Sequence, residues 1–319
     1  MDLDCEDKSE IQSKILFDLP VEIISIILGF LGFKTQMSLR KVCRGFRDLV
    51  DSTETPSVSI CLIEEQNPRN FRDVPENKEP IGKVWEIKKD PENYIEKRYG
   101  NFAKFGNMFS NANLKIDTFI VKISHLGNPE AGYEYEYAPS TIFNRLDFHL
   151  HSLEHKLNVK DLEIHVENSK NILEILPYFQ PETLERIHIR SIQGCFDMRF
   201  VDKISSLEQW KKAKKMVVRG IRMDISVEKL IHFEEFSGKI RRYSTQDLVF
   251  LKDTFLKSPN FKKCRIEYQR FQNVSELSTF FGPWLDNYSI SLTIPIPETD
   301  NKEMLRIFIT RDYCSFTRV

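Results

Sequence analysis

Hydrophobic and polar positions change their period along the chain. From Val21 to Leu31 the apolar residues Val21, Ile23, Ile24, Ile26, Ile27, Leu28, Phe30 and Leu31 cover a helix on nearly every side instead of forming one stripe. Asp18 stands where it can cap that helix, Pro20 suits the first turn because its missing N–H costs nothing there, and Glu22 favours the positive end of the dipole. A second helix is predicted from Thr35 to about Val50. In it Leu39, Val42, Cys43 and Phe46 follow i, i+3, i+4, i+7 spacing, and Arg40, Lys41, Arg44 and Arg47 fill the rest. A block of about 40 residues cannot bury a helix that is apolar all round, so this pair should leave a surface in need of a partner.

Further on, the period becomes two. Ser57 to Glu64 alternates as a strand, Lys83 to Lys88 reads as its partner, and Pro68, Pro75 and Pro80 mark a charged loop between them, which predicts a two-stranded joint. From about Leu114 onward helices and strands alternate. Strand-like Lys115–Ser124, Lys160–Val166, Glu182–Ile192, Met216–Ile221 and Phe261–Tyr268 are separated by helical Ser140–Leu157, Lys170–Phe179, Leu207–Lys215 and Thr245–Lys257. Ile231–Ile240 supplies a further strand. Equivalent strand positions Leu162, Ile187, Met216 and Cys264 lie 25, 29 and 48 residues apart, the last gap holding about two units. One helix and one strand per unit of that size predicts a leucine-rich-repeat-like α/β solenoid. The tail from Ser289 to Val319 has two alternating runs joined by Pro295 to Lys302, a closing β-hairpin. The expected fold class is therefore mixed α+β and α/β: a small all-helical domain at 14–52, a connecting segment at 53–113, and a repeat-like α/β region at 114–319.

Composition narrows the functions. The 319 residues are 41% hydrophobic and 29% charged, an ordinary globular chain. Because 46 Lys and Arg face 47 Asp and Glu, no global positive field draws nucleic acid or anionic lipid, and neither is expected as a partner. The acidic start MDLDCEDKSE is unlike a secretory or mitochondrial leader, and Val21–Phe33 is too short to span a bilayer, so a cytoplasmic or nuclear location is expected. Six cysteines without C-x-x-C spacing fit reduced thiols.

Enzyme signals are missing. The chain has no G-x-x-x-x-G-K-[ST], G-x-S-x-G or G-x-G-x-x-G, and the apolar flanks of Cys43 and Cys264 suggest packing instead of reactivity. Lys211, Lys212, Lys214 and Lys215 read as the solvated side of a helix whose Leu207 and Trp210 face inward. His149, His151 and His155 include an i, i+4 pair, but Asp147 is as well placed to pair locally with His151, so no metal and no cofactor is expected.

Two runs resemble known domains. Leu19-Pro20-x-Glu22, Ile27-Leu28-x-x-Leu31 and Leu39-Arg40-Lys41-Val42-Cys43-Arg44-x-Phe46 together resemble an F-box, with Phe46 where many F-boxes have Trp. Ile175-Leu-Pro177-Tyr-Phe179 with Pro181-x-Thr183-Leu184-Glu185, then Leu207 to Lys215, then Asp247-Leu248 to Leu256-x-Lys-Ser258-Pro-Asn-Phe261 resemble the FTH domain of nematode F-box A proteins. The resemblance implies a non-catalytic, substrate-recruiting subunit of a ubiquitin ligase. The F-box would bind a Skp-type adaptor, and through it cullin and RING subunits, while the FTH domain binds an unknown target protein. On this reading Leu19, Pro20, Ile23, Ile24, Ile27, Leu28, Leu31, Leu39, Val42, Cys43 and Phe46 divide between the F-box's own core and the adaptor interface. For the target, strand alternation leaves Glu163, His165, Arg186, His188, Arg190, Arg265 and Glu267 outside the core. A scaffold that never recruits cullin, or a peptide- or small-molecule-binding solenoid, are the alternatives.

Overall fold

A computed structural model describes residues 19–31, 33–52, 58–66, 81–86, 95–99, 108–125, 141–192, 194–272, 274–282, 289–297 and 303–319. It opens with three short helices, α1 Val21–Phe30, α2 Phe33–Leu39 and α3 Arg44–Ser52. They close on Ile24, Leu28 and Val50, with Leu31, Met37, Leu39 and Leu49 packed around them. Two expectations change here. Asp18 lies outside the described residues, and the N-cap position falls on Pro20, which makes no side-chain cap bond. The single helix expected over 35–50 is broken into α2 and α3. Backbone turns from Arg40 to Gln36, Lys41 to Ser38 and Val42 to Leu39 stop α2, and the Arg40 guanidinium grips Asp51 of α3 at 2.7 and 3.1 Å. Gln36 Nε2 donates to the Leu28 carbonyl at 2.7 Å and to that of Leu31 at 3.2 Å, tying the end of α1 to α2.

The rest is built on strands. In chain order they are β1 Val58–Gln66, β2 Ile81–Glu86, β3 Ile95–Tyr99, β4 Lys115–His125, β5 Asn158–Val166, β6 Arg186–Ser191, β7 Phe196–Asp197, β8 Lys215–Met223, β9 Glu235–Ser244, β10 Lys263–Gln272, β11 Ile290–Pro295, β12 Met304–Ile309 and β13 Tyr313–Arg318. Between them lie α4 Ile142–His151, α5 Ser169–Ile175, α6 Val201–Ser206, α7 Glu208–Lys212, α8 Thr245–Lys257 and α9 Leu277–Phe281. All strands join one 13-stranded sheet in the order β11-β12-β13-β10-β9-β8-β6-β5-β4-β1-β2-β3, with β7 beside β8. Pairing is parallel from β1 through β4, β5, β6, β8 and β9 to β10, and antiparallel in the meanders at both ends.

Alternation explains the layering. In β5, β6, β8 and β10 the pairs Leu162 and Ile164, Ile187 and Ile189, Met216 and Val218, and Cys264 and Ile266 are buried, and they share one core with Phe143, Ile172, Trp210, Leu251 and Phe255 of the helices. Parallel strands joined through right-handed crossovers gather their helices on one face, and α4 meets α5 as α5 meets α6. Helix α8 begins where Ser244 and Asp247 cap each other reciprocally: the Asp247 N–H donates to Ser244 Oγ at 3.2 Å, and the Ser244 N–H to Asp247 Oδ2 at 2.8 Å.

Two further expectations are corrected. The segment after the helices is not a detached two-stranded joint. It contains a third strand, β3, and β1 runs parallel to β4 from Val58 to Gln66, so the segment extends the main sheet. The closing hairpin is a three-stranded meander, because the chain turns again at Thr310 and β13 returns to pair with β10. The molecule is thus mixed α/β with a large, mostly parallel sheet behind a helical head.

Candidate protein-binding surfaces

Helix α1 turns only part of its apolar surface inward. Ile24 and Leu28, one turn apart, are the buried pair, while Ile23, Ile26, Ile27 and Phe30 face out, Phe30 with 86% of its surface exposed. Leu19, Pro20 and Val21 extend this ledge toward the start of the helix. The candidate adaptor residues therefore separate. Ile24 and Leu28 form the core of the head, and Leu31 and Leu39 pack against it. Leu19, Pro20, Ile23, Ile27, Val42 and Cys43 are exposed, and Phe46 is half-buried. Val42, Cys43 and Phe46 do not form one helical face with Leu39, since the break between α2 and α3 passes through them, and Cys43 is exposed instead of packed. Val21, Ile26 and Phe30 were missed as candidates, although their place on a helix apolar all round was the available signal.

The head is fixed to the body. Met37 packs against both cores, and the Asn113 side-chain amide, just before β4, donates to the Asp51 carbonyl. The ledge on α1 therefore sits on an anchored platform.

The second surface is the sheet face away from the helices. Strand register brings the candidate target residues together on it, as Glu163 aligns with His188, His165 with Arg190, and Asp161 with Arg186. Glu163 Oε1 is 2.8 Å from His165 Nε2, and Oε2 is 3.8 Å from His188 Nδ1. The hydrogen bond to His165, with the His188 imidazole close by, holds the Glu163 carboxyl well below the usual carboxylate range. His165 departs from its expected exposure. It is buried because its ring lies against Glu163 instead of standing in water. Nε2 of His188 is also buried, with no hydrogen-bond partner among the described residues. Arg186 meets Asp161 at 3.0 Å, and burial lifts the Asp161 carboxyl above its ordinary value against the pull of that guanidinium. Three strands away, Arg265 lies 3.9 Å over the Tyr313 ring and 3.8 Å from Glu267.

Other groups are occupied. Lys211, Lys212, Lys214 and Lys215 pair with Glu208, Glu182, Glu185 and Glu235, so the basic turn is largely neutralised where it stands. Asp147 accepts from the Tyr178 hydroxyl at 2.8 Å, that hydroxyl lies 3.3 Å from His151, and His155 reaches the Phe109 carbonyl at 3.0 Å. Among the described residues no group of three or more His, Cys, Asp and Glu is arranged to hold a metal ion. Burial pushes the Cys314 thiol up to about 12 and the Cys264 thiol well above its usual value, so both stay protonated and weakly nucleophilic.

An apolar helical head fixed to an α/β body with a polar sheet face defines a two-part class of α/β protein. The family comparisons agree with that class: the F-box domain model matches residues 16–56, and the FTH domain model matches residues 140–283. The chain is thus an F-box protein with a C-terminal FTH domain. No curated protein and no solved structure matches it. F-box domains in general bind a Skp-type adaptor and serve SCF-type ubiquitin ligases in substrate recognition, as non-catalytic adaptors.

Proposed function

We propose that this protein is a substrate-recognition subunit of an SCF-type ubiquitin ligase. Its head docks on a Skp-type adaptor through the α1 ledge, cullin and RING subunits follow through that adaptor, and the sheet face of the FTH region holds a target protein, in the cytoplasm or nucleus. Catalysis would then be a proximity effect, holding a target near a charged conjugating enzyme. The unit boundaries would be 14–52, 53–113 and 114–319. We read β4 to β10 as a leucine-rich-repeat-like solenoid, supported by neighbouring parallel strands that follow chain order.

The observation that carries this reading is where the apolar surface lies. Leu19, Val21, Ile23, Ile26, Ile27 and Phe30 are exposed together within one helix and its entry, whereas Phe148, Phe200, Phe250 and Phe280 of the body are exposed singly in separate segments. Each such side chain removed from water is worth about 2 kcal/mol, which favours a partner over open solvent. Titrating purified adaptor against Leu19→Ala, Pro20→Ala and Ile27→Ala, each checked for helicity, tests it. Each change is expected to cost about 2 kcal/mol, roughly 30-fold in affinity. Unchanged affinity in all three removes the interface. Probing the adaptor pull-down for cullin separates a ligase subunit from a scaffold that stops at the adaptor.

A further inference from the structure

We propose that the C-terminal ends of β6, β8, β9 and β10 form a docking surface for an acidic peptide segment. This deepens the reading above, on which it rests, by giving the chemistry of what the sheet face takes.

The two ends of the parallel strands differ in how their charges are met. At the N-terminal end, Arg186 and Lys215 are aligned neighbours on β6 and β8, and each has an acid at hand: Asp161 at 3.0 Å and Glu235 at 2.5 Å. The turns feeding these strands repeat the device, with Glu185 on Lys214 at 3.2 Å and Glu234 on Lys262 at 2.7 Å. At the C-terminal end acids meet some of the bases, Asp197 on Arg222 at 2.8 Å among them, but not all. Arg190 and Arg219 are aligned on β6 and β8, both exposed, and among the described residues no carboxylate pairs with either. Arg242 and Arg270 are aligned on β9 and β10, where Arg242 has an acid, Asp224 at 2.9 Å, and among the described residues Arg270 has none. Arg241 beside them is exposed, and among the described residues no carboxylate pairs with it.

Like charges directly opposite on neighbouring strands destabilise the sheet, and strands in register hold such pairs about 5 Å apart. The backbone nevertheless enforces the alignment. A register shift between Val217 and Arg222 bulges β8, and Gly220, with φ +68°, sits where an added Cβ would come within 3.0 Å of the Ser191 Cβ. That close approach keeps β8 against the end of β6 and sets Arg219 beside Arg190. Guanidinium groups set side by side in pairs invite carboxylates, which they bind through paired charge-assisted hydrogen bonds. The C-terminal end of parallel strands is also where open α/β sheets take ligands.

A nucleic acid fits less well. The chain carries no net positive charge, and the nearest rings in register are committed, Phe271 against Tyr243 and Tyr268, and Tyr313 under Arg265. Among the described residues, free stacking platforms for bases are thus lacking at this end.

The test uses the full chain bound to its adaptor. A short labelled peptide alternating Glu and Ser, its Gln-for-Glu counterpart and a single-stranded RNA of matching length are titrated by fluorescence anisotropy, with adaptor affinity measured on the same samples. The Glu peptide should bind at least about ten-fold tighter than the Gln peptide, and Arg190→Glu with Arg219→Glu should weaken it by about ten-fold or more. The neutral pair Arg190→Gln with Arg219→Gln should shift it in the same direction by less, with circular dichroism unchanged. Equal binding of the Glu and Gln peptides, wild-type affinity in both variants, or tighter binding of RNA overturns the proposal. Lost adaptor binding with retained, charge-selective peptide binding would sink the ligase reading while leaving this surface standing.

Discussion

The head and the body use apolar residues in opposite ways. In the body, buried side chains from Val58 to Phe316 join one continuous cluster between sheet and helices, and the polar members of each strand turn outward. Among the described apolar residues of the head, Ile24, Leu28 and Val50 alone are enclosed, while neighbours of like size and the larger Phe30 on the same helix stay in solvent. The difference teaches that hydrophobic density in a sequence does not measure the size of a core. In the head much of it belongs to a contact between molecules.

Three perturbations would break or sharpen this contrast. The largest effect is expected at Trp210, which is 1% exposed, lies edge-on to Phe233 at 5.6 Å and donates from Nε1 to the Lys229 carbonyl at 3.2 Å. Trp210→Ala should lower the stability of the body by about 3–5 kcal/mol in urea unfolding. A loss below about 1 kcal/mol would mean that the body is no better packed than the head. Leu28→Ala should cost the head about 2 kcal/mol of local stability, read as faster amide exchange in α1. Saturating adaptor should restore protection, because a ligand that binds only the folded form stabilises it by mass action. Exchange that adaptor leaves unchanged would show that the ledge and the core of the head are uncoupled.

The smallest effect concerns acid. Because His165 and His188 depress the Glu163 pKa in the folded protein, this carboxylate contributes stability above the pH at which it ionises in the unfolded chain. That contribution is lost as pH falls through the folded value. Melting temperatures measured down the acid limb should therefore fall less steeply in Glu163→Gln than in the native chain. Parallel curves would make the pairing energetically silent.

The elements that local chemistry decides were legible in the sequence. Helix α8 runs from Thr245 to Lys257 as expected, since Ser244 and Asp247 carry its start signal within four residues. The strands that hold Ile164, Ile189, Val218 and Ile266 follow from alternation alone. What contacts between distant residues decide was not readable. The break between α2 and α3 depends on Arg40 reaching Asp51, and no pattern near Leu39 announces it. Strand β3 and the return of β13 to β10 depend on pairing across the fold. The outward row Glu163, Arg186, His188 and Arg190 could be read strand by strand, but the register that sets Arg190 against Arg219 could not, nor could the side-chain turn that lays His165 on Glu163 two residues before it.

Strand β13 is made after β12, yet it lies between β12 and β10. Until residues 313–318 insert, the edge of β10 away from β9 has no neighbour, and β11 with β12 has no strand joining it to the sheet. Closure of this edge is thus a step that local hairpins cannot finish, and a chaperone that shields the β10 edge would act before β13 inserts.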